Sequence, residues 1–296
     1  MNFENLIYLI IILIILKFIN KKLKKYKKIY LNDGFDGIWF YFINKNIKKT
    51  GLKNFIDKRK NSLGKKIEKK SKSKILYGPY SKTKILNFYG WSNTDFASKY
   101  LGTYESHIQK KIIYLSKKFK LKNFIDLGAA EGYHIVSLLN KGYFSNGIAY
   151  EISQNSRVLL KKNAIVNNLT NKLSIHSEAS FESLKKNLAK FNQKQNLFLI
   201  DIEGNEFFLL DDKFLNFFSK SYFIIEDHNF NIKNKRIISN FYKRIKKRFK
   251  IEILRDNAKN PFEFQLLDNF SDDDKYLMMS EGRPKTMQWL VLYPKK

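Results

Sequence analysis

The chain has 296 residues, 44% of them hydrophobic, and its 56 Lys and Arg against 27 Asp and Glu give a formal net charge of +29. That apolar content excludes a chain disordered throughout. The absence of cysteine excludes disulfide frameworks, thiolate metal sites and cysteine nucleophiles.

Residues 6–16 form an unbroken apolar run, which Phe18 and Ile19 extend past Lys17. As a helix, about 19 residues at about 1.5 Å each span roughly 28 Å, enough for a thin bilayer with Lys17 reaching the headgroups. Glu4 precedes the run, and Lys21, Lys22, Lys24, Lys25, Lys27 and Lys28 follow it. A cleaved leader has the opposite charge order and a small-residue cleavage site. The expected reading is an uncleaved transmembrane anchor over 1–20, with the rest of the chain on the cytoplasmic side; the alternative is a buried or interfacial helix. Between Lys17 and Ile75 there are 20 basic residues and four acidic ones, a local charge of +16. Residues 21–75 therefore read as a basic juxtamembrane linker with short helices, attracted to anionic lipid or simply solvated. Within it, 36–47 could form a short helix, and 58–74 reads as an exposed connector.

From residue 76 to 296 the pattern becomes that of one folded domain. Apolar spacing predicts a helix over 98–119, then strands and helices in alternation: strand 123–127, helix 131–140, strand 147–152, helix 154–168, strand 173–176, helix 182–191, strand 197–202, helix 206–218 and strand 222–226. A basic amphipathic helix over 233–249 and strands at 251–254 and 287–293 complete the chain. The fold class is α/β, an open and mainly parallel sheet with helices on both faces.

Ligands of such sheets sit beyond the carboxyl ends of the strands, where the strand order reverses. The first such loop reads Asp126-Leu127-Gly128-Ala129-Ala130-Glu131-Gly132. Gly128 permits a tight turn and Gly132 a close helix approach. The full glycine triplet of a dinucleotide site and the Gly-Lys-Ser/Thr ending of a phosphate loop are both missing, and Glu131 would repel a pyrophosphate. A nucleoside without phosphates is the ligand suggested. The next strand ends in Tyr150-Glu151, and a carboxylate there can accept both hydroxyls of a ribose.

These stretches, with Tyr133, Lys162-Asn163, Asn167-Asn168-Leu169 and Asp201-Ile202-Glu203-Gly204-Asn205-Glu206, resemble the FkbM-type methyltransferases. Leu101-Gly102-Thr103-Tyr104-Glu105 is similar to the helix before the first strand in many of them. Leu199 and Ile152 depart from residues common in the family. The resemblance implies a Rossmann-like class I methyltransferase domain with a seven-stranded sheet and S-adenosylmethionine as cofactor. It implies a cofactor site from Asp126, Gly128, Ala129, Gly132, Glu151 and Glu178, with the methionine part at Gly128, the ribose on Glu151 and the adenine near Glu178. Asp201 would face the transferred methyl. A hydroxyl acceptor must also lose a proton, for which Asp201, Glu203 and His228 are the candidate bases. Asp201, Glu226 and Asp227 could alternatively hold Mg²⁺ through oxygen ligands. His107, His134 and His176 read as structural or exposed. The expected activity is O-methylation of a sugar, glycolipid or other hydroxyl compound at the membrane. The alternatives are an RNA methyltransferase, disfavoured because the fourth strand lacks the Asn/Asp-Pro-Pro-Tyr/Phe ending, and a non-catalytic tethered binding module.

Overall fold

Seven short segments pair into one sheet whose inner strands are buried on both faces and whose edge strands are half-exposed. The computed structural model describes residues 52–86, 95–283 and 285–295. The strands are β1 (Asn123–Leu127), β2 (Asn146–Tyr150), β3 (Leu173–His176), β4 (Asn196–Ile200), β5 (Tyr222–Glu226), β6 (Phe249–Arg255) and β7 (Gln288–Pro294). Their order is β3-β2-β1-β4-β5-β7-β6. β1 to β5 run parallel, and β7 lies antiparallel between β5 and β6. This is the seven-stranded Rossmann-like arrangement expected from the sequence.

The period of two decides which residues meet which helices. Phe124, Ala149, Leu197, Leu199, Ile224 and Val291 face one core. That core also takes side chains from α1 (Leu52–Ser71), α2 (Phe96–Leu101), α3 (Ser106–Phe119), α4 (Tyr133–Asn140) and α5 (Gln154–Val166). Ile125, Leu127, Ile148, Phe198, Ile200, Phe223 and Ile225 face the other. There they meet α6 (Phe181–Leu188), α7 (Glu206–Leu209), α8 (Asp212–Phe217) and α9 (Lys235–Arg248). A tenth helix, α10 (Asp272–Met279), lies in the connection before β7.

Three expectations are corrected. Residues 58–74, read as an exposed connector, are mostly helical, and Leu63 and Ile67 are fully buried. Their four-residue spacing puts both on one face of α1, a signal hidden among lysines whose stems lie alongside. The compact unit accordingly begins at Arg59, and Arg59 holds Asp274 with Nε–Oδ1 at 2.8 Å. The helix over 98–119 is two helices. Gly102 caps α2 at φ +80, and a Cβ there would stand 2.1 Å from the Tyr77 carbonyl oxygen. The helix over 206–218 also divides, because the Asp211 side chain accepts from Phe214 N–H at 2.8 Å and starts α8 afresh. Asp272, Asp273 and Asp274 form the first turn of α10, where acidic groups favour the helix dipole.

The expected anchor at 1–20 and the short helix at 36–47 lie outside the described residues. Among the described residues, no helix is long and apolar enough to cross a membrane.

Candidate active site

The chain lays down β1, steps outward to β2 and β3, then returns to place β4 on the other side of β1. The strand order therefore reverses between β1 and β4, and the loops leaving these two strands meet. Asp201 N–H donates to the Leu127 carbonyl at 2.9 Å. Gly128 sits at φ +87, and a Cβ on it would lie 1.8 Å from the Asp201 carbonyl oxygen. Only glycine lets the two loops close on each other here. Gly132, at φ +88, does the same for α5: its Cβ would fall 2.2 Å from Leu160 Cδ1.

Backbone donors of the first loop are turned to the end of β2. Gly128 and Ala129 N–H both donate to the Tyr150 carbonyl, at 2.9 and 3.0 Å. Ala130, at φ +45, donates its N–H to Glu151 Oε2 at 2.8 Å, and Ser153 N–H donates to Oε1 at 2.7 Å. Both carboxylate oxygens are thus fixed by the backbone, and each retains a second lone pair for a hydroxyl donor. Asp126 is buried in β1 and accepts from the Ile135 N–H of α4; burial and the charges of Glu105, Glu151 and Glu131 push its carboxyl well above the usual range. It shapes the loop from beneath. Glu178 lies exposed in the loop after β3.

The acceptor side of the rim is built by β4 and β5. His228, just past β5, is 5% exposed, and its Nδ1 donates to Glu206 Oε1 at 3.2 Å. The buried Glu206 carboxylate also receives His228 N–H at 3.2 Å and Gly204 N–H at 2.9 Å. This leaves Nε2 pointing at three carboxylates, with Asp201 Oδ1, Glu203 Oε2 and Glu226 Oε2 each 3.7 Å away. Burial and the Glu105 charge lift Asp201 to about 7. Burial and Asp201 lift Glu226 to about 9, although Arg283 donates to it. Burial opposes protonation of His228, but Glu206 and the neighbouring acids raise it above its ordinary value.

Behind this rim lies a charged network that includes groups sequence reasoning missed. Arg283 binds Glu105, Glu226 and Glu281 together. Glu105 also pairs with His134 Nε2 at 2.9 Å, while Tyr80 OH meets Nδ1 at 3.1 Å. Burial works against the Glu105 charge, yet His134 and Arg283 hold it down at about 2. His134 is thus a buried structural histidine, as expected. His176 stacks on Tyr150 with ring centroids 5.0 Å apart, and His107 Nδ1 lies 3.5 Å from Asp256. Glu206 stood in the quoted motif with no role given. Arg283 has no local signal at all, since only the return path into β7 brings it to the rim.

The expected magnesium trio does not assemble. Glu226 and Asp227 are consecutive, and successive strand residues point to opposite faces. Asp227 is satisfied by Tyr242 OH, by Gln288 Nε2 at 2.5 Å, and by Asn229 N–H and Nδ2 at 3.1 and 3.0 Å. Among the described residues, the group whose ligand atoms lie within 4.8 Å of one another is Asp201, Glu203 and His228.

No family model and no curated relative matches the sequence. Solved structures with a partial likeness include several methyltransferases. An O-methyltransferase from Bacillus cereus in complex with SAH is 15% identical over 63% of this chain and 80% of its own, with a TM-score of 0.44. The O-methyltransferase TomG from Streptomyces achromogenes, in complex with SAM, is 8% identical over 64% and 81%, again at 0.44. A tRNA methyltransferase from B. subtilis is 12% identical over 64% and 65%, at 0.40. Likeness at this level transfers no residue role.

Proposed function

We propose that the chain is an S-adenosylmethionine-dependent methyltransferase that modifies a hydroxyl group. The observation that carries this reading is the junction of the β1 and β4 loops. It offers a backbone-fixed carboxylate for a ribose and, on the acceptor side, a buried carboxylate oxygen, Asp201 Oδ1, that no N–H or hydroxyl donor among the described residues reaches. Such an oxygen suits a cationic neighbour. When bound, S-adenosylmethionine supplies an electrophilic methyl group on a sulfonium.

The chain's own residues would do the rest. Glu151 accepts hydroxyl donors of the ribose. Because Gly128, Ala129 and Ala130 N–H already serve Tyr150 and Glu151, the loop holds the methionine end through its carbonyls, which accept from an ammonium. Lys99, whose Nζ lies 2.6 Å from Glu131 Oε1 in a buried pair, is the nearby cation for the methionine carboxylate. Asp201 Oδ1, its carboxyl raised to about 7, is suited to take the acceptor's proton near neutral pH. His228 Nε2 and Glu203 stand beside it. Arg283, paired with Glu105 and Glu226, fixes the back of this rim. A membrane-associated acceptor such as a glycolipid is favoured by the apolar run at 6–16 and the lysines that follow it.

The test is calorimetric titration of the full chain in detergent with S-adenosylmethionine and S-adenosylhomocysteine. The reading requires one site for each per chain. A folded protein that binds neither would sink it.

A further inference from the structure

We propose that Asp201, Glu203 and His228 form a site for one divalent transition-metal ion, of the manganese, iron(II) or zinc class. The ligand geometry stands on its own; only the use of the ion, polarising an acceptor hydroxyl, rests on the methyltransferase reading. The starting point is His228. Its side chain is 5% exposed and its Nδ1 is committed to Glu206, so the remaining nitrogen, Nε2, faces the cluster. Metal-binding imidazoles are typically oriented in this way, by a carboxylate on the other ring nitrogen.

The spacing fits an ion better than a hydrogen bond. At 3.7 Å from Asp201 Oδ1 and Glu203 Oε2, Nε2 stands beyond hydrogen-bond reach. Atoms sharing one ion at about 2.0–2.2 Å are separated by roughly 3.0–3.6 Å; Nε2 is close to this from both carboxylates, and the three ligand atoms, within 4.8 Å of one another, complete the site when the half-exposed Glu203 side chain turns inward. Among the described residues no N–H or hydroxyl donor reaches the buried Asp201 Oδ1; the Glu226 carboxyl is its hydrogen-bonding neighbour, and an ion bound at Oδ1 would replace that shared proton. Glu203 adds a fourth observation. It holds φ +57, in the left-handed region L side chains rarely adopt, and its Oε2 stands 3.7 Å from Nε2.

Charge and chemistry choose the ion. Glu226 also lies 3.7 Å from Nε2, but it is held by Arg283 and stays outside the ligand set. Asp201, Glu203 and a neutral imidazole then present two negative charges, matching a dication. One imidazole with two carboxylates favours a borderline ion over Mg²⁺ or Ca²⁺, which prefer all-oxygen shells. The Asp201 and Glu203 side chains are 32% and 54% exposed, so water or an acceptor oxygen can complete the coordination. If the ion is present, Asp201 and His228 are both ligands, and the acceptor's proton goes to solvent rather than to Asp201 Oδ1.

The experiment is titration of the EDTA-stripped full chain with Mn²⁺, read by electron paramagnetic resonance of the free ion, without S-adenosylmethionine present. One ion per chain is expected, with Mg²⁺ at least about tenfold weaker. Glu203→Gln, at a half-exposed position that tolerates the change, should lower Mn²⁺ affinity at least about tenfold. Glu206→Gln keeps all three ligands but frees the imidazole, and should cost about 10–100-fold. Nitrogen hyperfine coupling in the bound Mn²⁺ spectrum should vanish in His228→Gln, and Asp227→Asn should leave affinity unchanged. No stoichiometric binding by the folded wild type, or affinity indifferent to Glu203→Gln, would overturn the proposal. Ion binding without cofactor binding would support this site while refuting the methyltransferase reading; cofactor binding without ion binding would do the reverse.

Discussion

Replacing Glu151 by glutamine separates what this side chain does for the fold from what it does for a ligand. In the wild type its two oxygens accept from Ala130 and Ser153 N–H at 2.8 and 2.7 Å. Glutamine keeps the shape but offers one oxygen and one NH₂ group. Whichever way the amide turns, one buried N–H loses its acceptor and faces another donor. An unsatisfied buried donor costs about 1–3 kcal/mol. For a unit of this size, each kcal/mol shifts Tm by about 2–4 °C, so melting should fall by roughly 2–12 °C. The ligand side loses as well. A hydrogen bond to a charged acceptor contributes about 1.5–3 kcal/mol against about 1 for a neutral one, so S-adenosylhomocysteine affinity should drop by roughly two- to thirtyfold. Thermal melts and calorimetry on the same preparation read both effects. A folded variant with unchanged Tm would refute the backbone role, and affinity within twofold of wild type would refute the ribose role.

Three further outcomes are expected. Gly128→Ala should destabilise by about 2–5 kcal/mol, from the left-handed backbone and the contact with the Asp201 carbonyl at 1.8 Å; urea unfolding measures it, and a neutral effect would place the two loops apart. Leu63→Ala should cost about 2–4 kcal/mol because Leu63 is fully buried in the core with Ile67, and an unchanged urea midpoint would return 58–74 to a linker. With metal kept out by EDTA, stability should fall as pH rises from about 5 to 8. Asp201 is raised from 3.8 to about 7 in the fold, so its contribution is complete below the unfolded value and lost through the folded one. His228, also raised, loses its contribution in the same direction. Melting temperatures across this range check it: Asp201→Asn should flatten the slope, and a profile rising with pH would contradict the assignment.

What the sequence made legible follows from where its information is local. Strands β1 and β5 begin and end where apolar residues and turn residues place them, because each is short and buried on both faces, and β3, the half-exposed edge strand, is bounded in the same way by the polar residues around it. Gly128, Gly132 and Glu151 were found through spacing, and the close approaches at each position give that spacing its cause. The misses were of another kind. Gly102 and Asp211 break helices whose apolar periodicity runs on through them, since the breaks are made by a left-handed glycine cap, packed too close to the Tyr77 carbonyl for any side chain, and by a side-chain cap. Asp227 failed as a ligand because adjacency in sequence is opposition in a strand. Arg283 and Glu105 are 178 residues apart in the chain and meet only through the return into β7.

The most direct measurement is hydrogen–deuterium exchange of the full chain with and without saturating S-adenosylmethionine. The account predicts new protection in peptides covering 127–133, 150–154 and 200–205, where the β1 and β4 loops meet beside Glu151. Protection confined to other parts of the sheet, or none at saturation in a folded protein, would contradict the placement of the site at this junction.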